Sequence, residues 1–273
     1  MMYVGFIGCG QMGRAILSGL LDEQVVSPEE VFISARSSAQ ETAQRFGVKV
    51  ASPVDILLRC ETVFLGIKPY QLQLLEPWIN EVKNERLPNA PKPLMMSMLA
   101  GTSFAQLKSV IGDEAELVRI MPNLPAQVRQ GVTLMCADPT DQNAQKNQRR
   151  CETLLAPLGL VEPLHQESDF HAATAISGCG PAYLFNLIEA LADAGVHEGL
   201  PREVALRLSA HTVMGSGALA VADHPAILKD RVTSPGGVTI TGVRALERAG
   251  FRSALIEAVI EATTRSRDME RSH

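Results

Sequence analysis

Short apolar runs alternate with helical segments up to about residue 162, a glycine-rich turn follows the first of them directly, and the strand signal then disappears. These observations predict an α/β + all-α chain: a doubly wound, Rossmann-type sheet over residues 1–162, then an all-helical domain over residues 163–273. Composition agrees. The 273 residues are 46% hydrophobic and 20% charged, ordinary globular usage that allows two modest cores.

The strand candidates are 3–7, 31–35, 62–67, 94–98, 117–121 and 132–136, nearly unbroken in apolar residues, as in a mostly parallel sheet covered on both faces. Segments 12–21 and 40–46 each have the length of one helix. Asp138-Pro139-Thr140-Asp141 reads as a turn and N-cap opening another. Beyond residue 163, Leu184, Leu187, Ile188 and Leu191 share one helical face, with Glu189 and Asp193 off it, and Phe251, Leu255, Val259 and Ala262 repeat the spacing. Residues 208–222 contain no Asp, Glu, Lys or Arg. A helix uncharged all round needs cover on every side. It is either the centre of a monomeric bundle or buried against a second subunit. The domain has little room to enclose it, and Gly215, Ser216, Gly217 and Ala218 permit close helix approach. The expectation is therefore a homo-oligomer formed through the helical domain.

Several partner classes are disfavoured. Lys and Arg number 25 against 30 Asp and Glu, giving a net charge of -5, and aromatics are only 4%, so no nucleic acid is expected. Cys9, Cys60, Cys136, Cys151 and Cys179 are odd in number with no C-x-x-C pair, which argues against a disulfide framework and for a reducing, cytoplasmic setting. The histidines at 165, 171, 197, 211, 224 and 273 have no metal-ligand spacing, so no metal is expected. The N-terminus lacks a basic region and reads as the first strand, and no apolar run is read as membrane-spanning, so no membrane is expected.

Gly8-Cys9-Gly10-Gln11-Met12-Gly13 fits G-x-G-x-x-G between a strand and a helix. Gly8 allows a tight turn, Gly10 the approach of a pyrophosphate, and Gly13 close helix–sheet packing, while the helix N-terminus attracts the anion. At the end of the second strand an NAD site normally has an acid; here Ile33-Ser34-Ala35-Arg36-Ser37-Ser38 has none before Glu41. Arg36 with Ser34 and Ser37 suits a 2′-phosphate, so NADPH is the expected cofactor, with NADH also admitted. The alternative for Arg36 is a solvated residue opening the next helix. Lys68, followed by Pro69, ends another strand and is either a ribose or phosphate contact or merely solvated.

In Ser234-Pro235-Gly236-Gly237-Val238-Thr239, two glycines before an amphipathic helix can turn several amides toward one point, forming a small-anion cradle. A carboxylate fits that charge and size. The competing reading is an ordinary cap, in which Ser234 or Thr239 bonds only its own backbone. Cys179, in Ser177-Gly178-Cys179-Gly180-Pro181, has no His partner in a catalytic motif and reads as a small packing residue.

Together these motifs resemble the pyrroline-5-carboxylate reductase family over nearly the whole chain. The resemblance runs through residues 6–13, Ile67-Lys68-Pro69, residues 119–126 and 177–183, and most specifically residues 228–239. It implies a helical dimerisation domain with helices interleaved between subunits, and an active site completed across the dimer. It matches Cys9, Gln11, Met12, Ser34, Arg36, Ile67, Lys68 and Ala100, with Asp55, to cofactor contacts. It matches Gly236, Gly237, Val238 and Thr239 to the hold on the substrate's carboxylate and ring. Cys179 stands where the family usually has Ser, and His211 precedes Thr212 where Gln-Thr is common.

The implied reaction moves hydride from NADPH to the C=N carbon of 1-pyrroline-5-carboxylate and gives L-proline, the last step of proline biosynthesis. Thr239 is the expected catalytic residue, with its hydroxyl near the ring nitrogen. No Asp, Glu or His general acid stands out, so the proton arrives either with the substrate as iminium or through water. Two rivals stay open: a related NADPH-dependent imine or β-hydroxyacid reductase, and a non-catalytic NADP(H)-sensing module.

Overall fold

Every residue of β1 (Val4–Ile7) is buried, because the sheet is covered on both faces: Val4 and Phe6 enter one core and Ile7 the other. In a computed structural model, which describes residues 2–36 and 38–271, the chain continues through α1 (Gln11–Asp22), β2 (Val31–Ser34), α2 (Ala39–Phe46), β3 (Lys49–Val50), α3 (Pro53–Arg59), β4 (Thr62–Leu65), α4 (Glu76–Glu85), β5 (Leu94–Ser97), α5 (Phe104–Ile111), β6 (Glu116–Pro122), β7 (Gly131–Ala137), α6 (Ala144–Leu155) and β8 (Gly159–Pro163). Then come α7 (Phe170–Ser177), α8 (Gly180–His197), α9 (Arg202–Ala222), α10 (Pro225–Arg231), α11 (Val238–Arg248) and α12 (Phe251–Arg271).

The strands form one eight-stranded sheet in the order β3-β2-β1-β4-β5-β6-β7-β8. The first six in sequence run parallel, β7 runs against β6, and β8 runs with β7. The order reverses direction between β1 and β4, the switch point at which such sheets bind ligands. On one face Ile16, Leu17 and Leu20 of α1 and Leu154 and Leu155 of α6 cover Phe6 and Phe64, whose rings stack at 4.8 Å. On the other, Ile56, Ile79 and Leu107 from α3, α4 and α5 cover Val63, Leu65 and Met95. Each such side chain contributes about 1.5–3 kcal/mol through burial.

The doubly wound sheet is present, with two strands that the pattern did not announce. β3 and β8 lie at the edges, and both residues of β3 are exposed. An edge strand with one neighbour and little buried surface carries no apolar run. The reversal at β7 follows from the link 123–130, too short for a crossover to a parallel neighbour.

The expected boundary at 162/163 needs correction. Strands do end at Pro163, but the compact units are residues up to Gly178 with those from Thr263 onward, and Cys179–Ala262. The reason is packing. Phe170 of α7 enters the second core of the sheet, and the guanidinium of Arg119 lies 4.7 Å from its ring centre. Arg119 Nη1 also donates to Glu167 Oε1 at 2.5 Å and lies 3.9 Å from Glu270 Oε1. His171 ties to Ser266 Oγ at 2.9 Å and Glu270 Oε2 at 3.0 Å. The last turns of α12 thereby belong to the sheet's unit.

Within the second unit α8 and α9 pack closely, and a Cβ at Gly195 would come within 3.1 Å of Ala205 Cβ. Few side chains are fully covered. On α9 only Ala205 and Ser209 are buried, whereas Leu208, Met214 and Leu219 are 56%, 64% and 60% exposed. The central helix of a monomeric bundle is therefore not what this chain builds. A second correction concerns length. Among the described residues α9, at 21 residues with a mean hydropathy of 1.2 over its best window, is long and apolar enough to cross a membrane by those two criteria. The uncharged stretch 208–222 is shorter than the helix that contains it.

Candidate functional site

Strand register lines up the functional segments. Ile7 pairs with Ser34 and with Leu65, and Leu65 with Ser97, so β1, β2, β4 and β5 end in one row. The chain leaves that row through the glycine turn, Arg36, Lys68 and Ala100, each within a few residues of a strand end. Gly8 has φ +84°, and a Cβ there would sit 2.7 Å from the backbone of Gly66 and Ile67, so only glycine fits. Its N–H donates to Ser34 O at 2.7 Å, and Gly66 N–H donates to Ile7 O at 2.8 Å, knitting three strand ends together. At Gly13 a Cβ would meet Gly8 O and Cys9 Sγ at 3.4 Å, ordinary contact, so the demand for glycine is weaker there.

A groove follows this row. Its first cavity, about 690 Å³, is lined by Gly8, Cys9, Gly10, Ser34, Arg36, Ser38, Ile67 and Lys68, with Pro53, Gly66, Gln71, Leu74, Pro77 and Trp78 among the others. A second of about 460 Å³ shares Gly10, Gly66, Ile67 and Lys68 and adds Gln11, Met12, Gly13, Pro69, Met98, Ala100, Met121 and Pro122. Gly10 is the N-cap of α1 and no side chain caps the helix, so the first-turn amides keep their donors for an anion. A side chain at Gly10 would meet no atom within 4 Å. Arg36 and Lys68 are exposed and make no ion pair among the described residues. Free amides, an open glycine and two unpaired cations fit a dinucleotide phosphate, and the groove has the size of a cofactor site.

Cys9 is 1% exposed, and burial pushes its thiol up to about 11, against the pull of Arg14. It offers the groove its backbone and not a thiolate. Ser37 lies outside the described residues. Asp55 is not among the residues lining either cavity: its carboxylate accepts from Ser52 Oγ at 2.8 Å and lies 3.2 Å from Arg59 Nη2, while Pro53 of the same helix does line the groove. The first cavity's Ser38, Leu74, Pro77 and Trp78, and the second's Met121 and Pro122, were not assigned to the site from sequence, whereas Met98 opens the strand end 98–102 that the sequence marks as facing a ligand. Met121 and Pro122 stand at a strand end, a usable signal; Trp78 arrives from a helix and had none.

The second unit holds the 234–239 turn. Gly236 has φ +68°, and a Cβ at Gly237 would lie 2.3 Å from Ser234 Oγ. Gly237 N–H donates to Ser234 O at 3.1 Å. Gly237 is the N-cap of α11 and no side chain caps it, so the ordinary-cap reading of Ser234 and Thr239 does not hold. Val238 is 92% exposed, and the exposed Thr239 hydroxyl has no hydrogen-bond partner among the described residues. Open amides beside a free hydroxyl can receive a small anion. Among the described residues no group of three or more His, Cys, Asp or Glu is placed to hold a metal ion.

Comparison with known proteins aligns with this geometry. Residues 167–269 match the family described as pyrroline-5-carboxylate reductase dimerisation, and residues 3–86 match the family described as NADP oxidoreductase, coenzyme F420-dependent. The chain is 35% identical over 274 residues to a pyrroline-5-carboxylate reductase of Arabidopsis thaliana, covering 98% of this chain and 96% of the relative. It is 37% identical over 271 residues to that of a Synechocystis strain, covering 97% of each. The crystal structure of Plasmodium falciparum pyrroline carboxylate reductase with NADP bound superposes with a TM-score of 0.81 at 28% identity, covering 98% of both chains.

Proposed function

The chain belongs to the pyrroline-5-carboxylate reductase family, and from that premise we propose how its residues carry out the NADPH-dependent reduction of 1-pyrroline-5-carboxylate to L-proline. It is an oxidoreductase acting on CH–NH groups, with NADP(H) as cofactor. The observation that carries the residue assignment is the row of strand ends, where an uncapped helix start and two unpaired cations face one groove.

The uncapped start of α1, with the backbone of Gly8 to Gly13, takes the pyrophosphate. Ser34, Ser37 and Arg36 take the 2′-phosphate, and Lys68 the ribose or a phosphate. Ile67, Pro69 and Ala100 line the groove beside these groups; Asp55 acts at most indirectly, through α3. When bound, NADPH supplies the hydride that adds to the C=N carbon. The amides of Gly236 and Val238, with Ser234, hold the substrate carboxylate, Gly237 shapes the turn through its N–H bond to Ser234 O, and the Thr239 hydroxyl orients the ring nitrogen. The nitrogen carries its proton in with the iminium or receives it from water. Binding and orientation are then the protein's main contribution.

The exposed apolar surface of α9 supports a homo-oligomer built through the helical unit. Five free cysteines support a reducing setting, the cytoplasm. Following NADPH absorbance at 340 nm with pyrroline-5-carboxylate, acyclic imines and β-hydroxy acids tests the proposal. Rapid turnover of the cyclic imine alone is expected. NADPH binding without turnover of any imine would instead identify a sensing module.

A further inference from the structure

The lining of the first cavity combines the polar Ser34, Arg36, Ser38, Lys68 and Gln71 with a group of apolar side chains. Pro53 opens α3, Leu74 lies in the turn after β4, and Pro77 and Trp78 stand in the first turn of α4; all four line the cavity that also holds Ser34 and Arg36. Trp78 is the chain's only tryptophan. It is half-buried: part of its surface packs on the core that holds Ile79 and Val82, and it still borders the cavity. Phosphates and ribose gain nothing from such a wall, whereas a flat, weakly polar ring does.

Covalent chemistry decides which ring. If Arg36 receives the 2′-phosphate, the base on the adjacent ribose carbon must lie within one sugar of Arg36. Within the cavity that Arg36 lines, the apolar side chains of Pro53, Leu74, Pro77 and Trp78 are the surface available to it. We infer that Trp78 is the aromatic surface on which the adenine of NADP(H) stacks, a cofactor-binding contact that rests on the cofactor reading above. Leu74 and the two prolines close the slot around it. Prolines suit the task, since each carries an apolar ring and no N–H needing a partner.

A lone tryptophan makes the test direct, because all indole emission reports on Trp78. Adenosine 2′,5′-bisphosphate, which carries the base and the 2′-phosphate but no nicotinamide, is titrated into the full-length protein with emission and calorimetry followed together. Saturable quenching at the calorimetric Kd is expected. Trp78→Ala is expected to raise the Kd for the bisphosphate and for NADPH by about tenfold, the effect of losing one stacked base. Trp78→Phe should stay within about threefold. Binding of the bisphosphate with unaltered emission, or with equal affinity in the alanine variant, overturns the inference and leaves the cofactor assignment standing. Absence of heat from both NADPH and the bisphosphate on the unmutated protein overturns the assignment and the inference together.

Discussion

Arg36 stands exposed at the end of β2 with no carboxylate on its guanidinium among the described residues. A free guanidinium facing a groove has its planar donors available for a phosphate monoester. Arg36→Ala is expected to raise the Kd for NADPH about 10- to 100-fold, as the loss of charge-assisted hydrogen bonds implies. The Kd for NADH should change less than about twofold. Equal losses for both, measured by calorimetry, would reject the 2′-phosphate assignment. Thr239 presents a hydroxyl that neither caps α11 nor bonds elsewhere among the described residues. Thr239→Ala is therefore expected to leave the melting temperature nearly unchanged while lowering kcat about 10- to 100-fold. Wild-type steady-state kinetics would remove the residue from the mechanism.

At the level of elements, the end of β7 is fastened to α5 by one ion pair. Lys108 on α5 pairs with Asp138, whose side chain is only 5% exposed, and Asp138 Oδ1 also accepts from Thr140 N–H at 3.0 Å and Thr140 Oγ1 at 2.9 Å. Burial opposes ionisation of this carboxyl, but the Lys108 and Thr140 hydrogen bonds outweigh it and hold it below the usual carboxylate range. With a depressed pKa, the folded state binds fewer protons than the unfolded chain. The contribution is complete above the unfolded value, about 3.9, and is lost as pH falls through the lower folded value. Urea unfolding should show stability dropping below about pH 4. Asp138→Asn should flatten that drop and cost about 1–3 kcal/mol at pH 7. An unchanged acid slope in the variant would show that Asp138 does not supply it.

For the whole molecule, the decisive feature is an apolar helix that its own chain leaves open. Leu208 and Leu219 on α9 stay more than half exposed, and no charged residue interrupts 208–222. Water disfavours such a surface, and residues 167–269 match a dimerisation family, which supports the proposal that a further copy of the chain covers it. Light scattering of the unmutated protein should give a multiple of 29.5 kDa. Leu208→Glu combined with Leu219→Glu should shift it toward the monomer, because two buried, unpaired carboxylates are costly. A monomeric parent, or a variant of unchanged mass, would remove the role given to α9.

The amino-acid order suffices wherever the information is local. β1, β2, β4, β5, β6 and β7 announce themselves because their inner residues are apolar, and the glycine turn because Gly8 must have φ +84°. Arg36, Lys68 and the 234–239 turn were equally readable, since each is a residue type or spacing at an element end. Long-range packing supplied the rest. Edge strands β3 and β8 exist only by pairing with neighbours, and the unit boundary moved to Gly178 because Phe170 and Arg119, far apart in sequence, share one core. Trp78 reaches the groove from α4, and Asp55 turns to Ser52 and Arg59 instead of the groove. Periodicity records which face of an element is covered; what covers it is set by register and by partners distant along the chain.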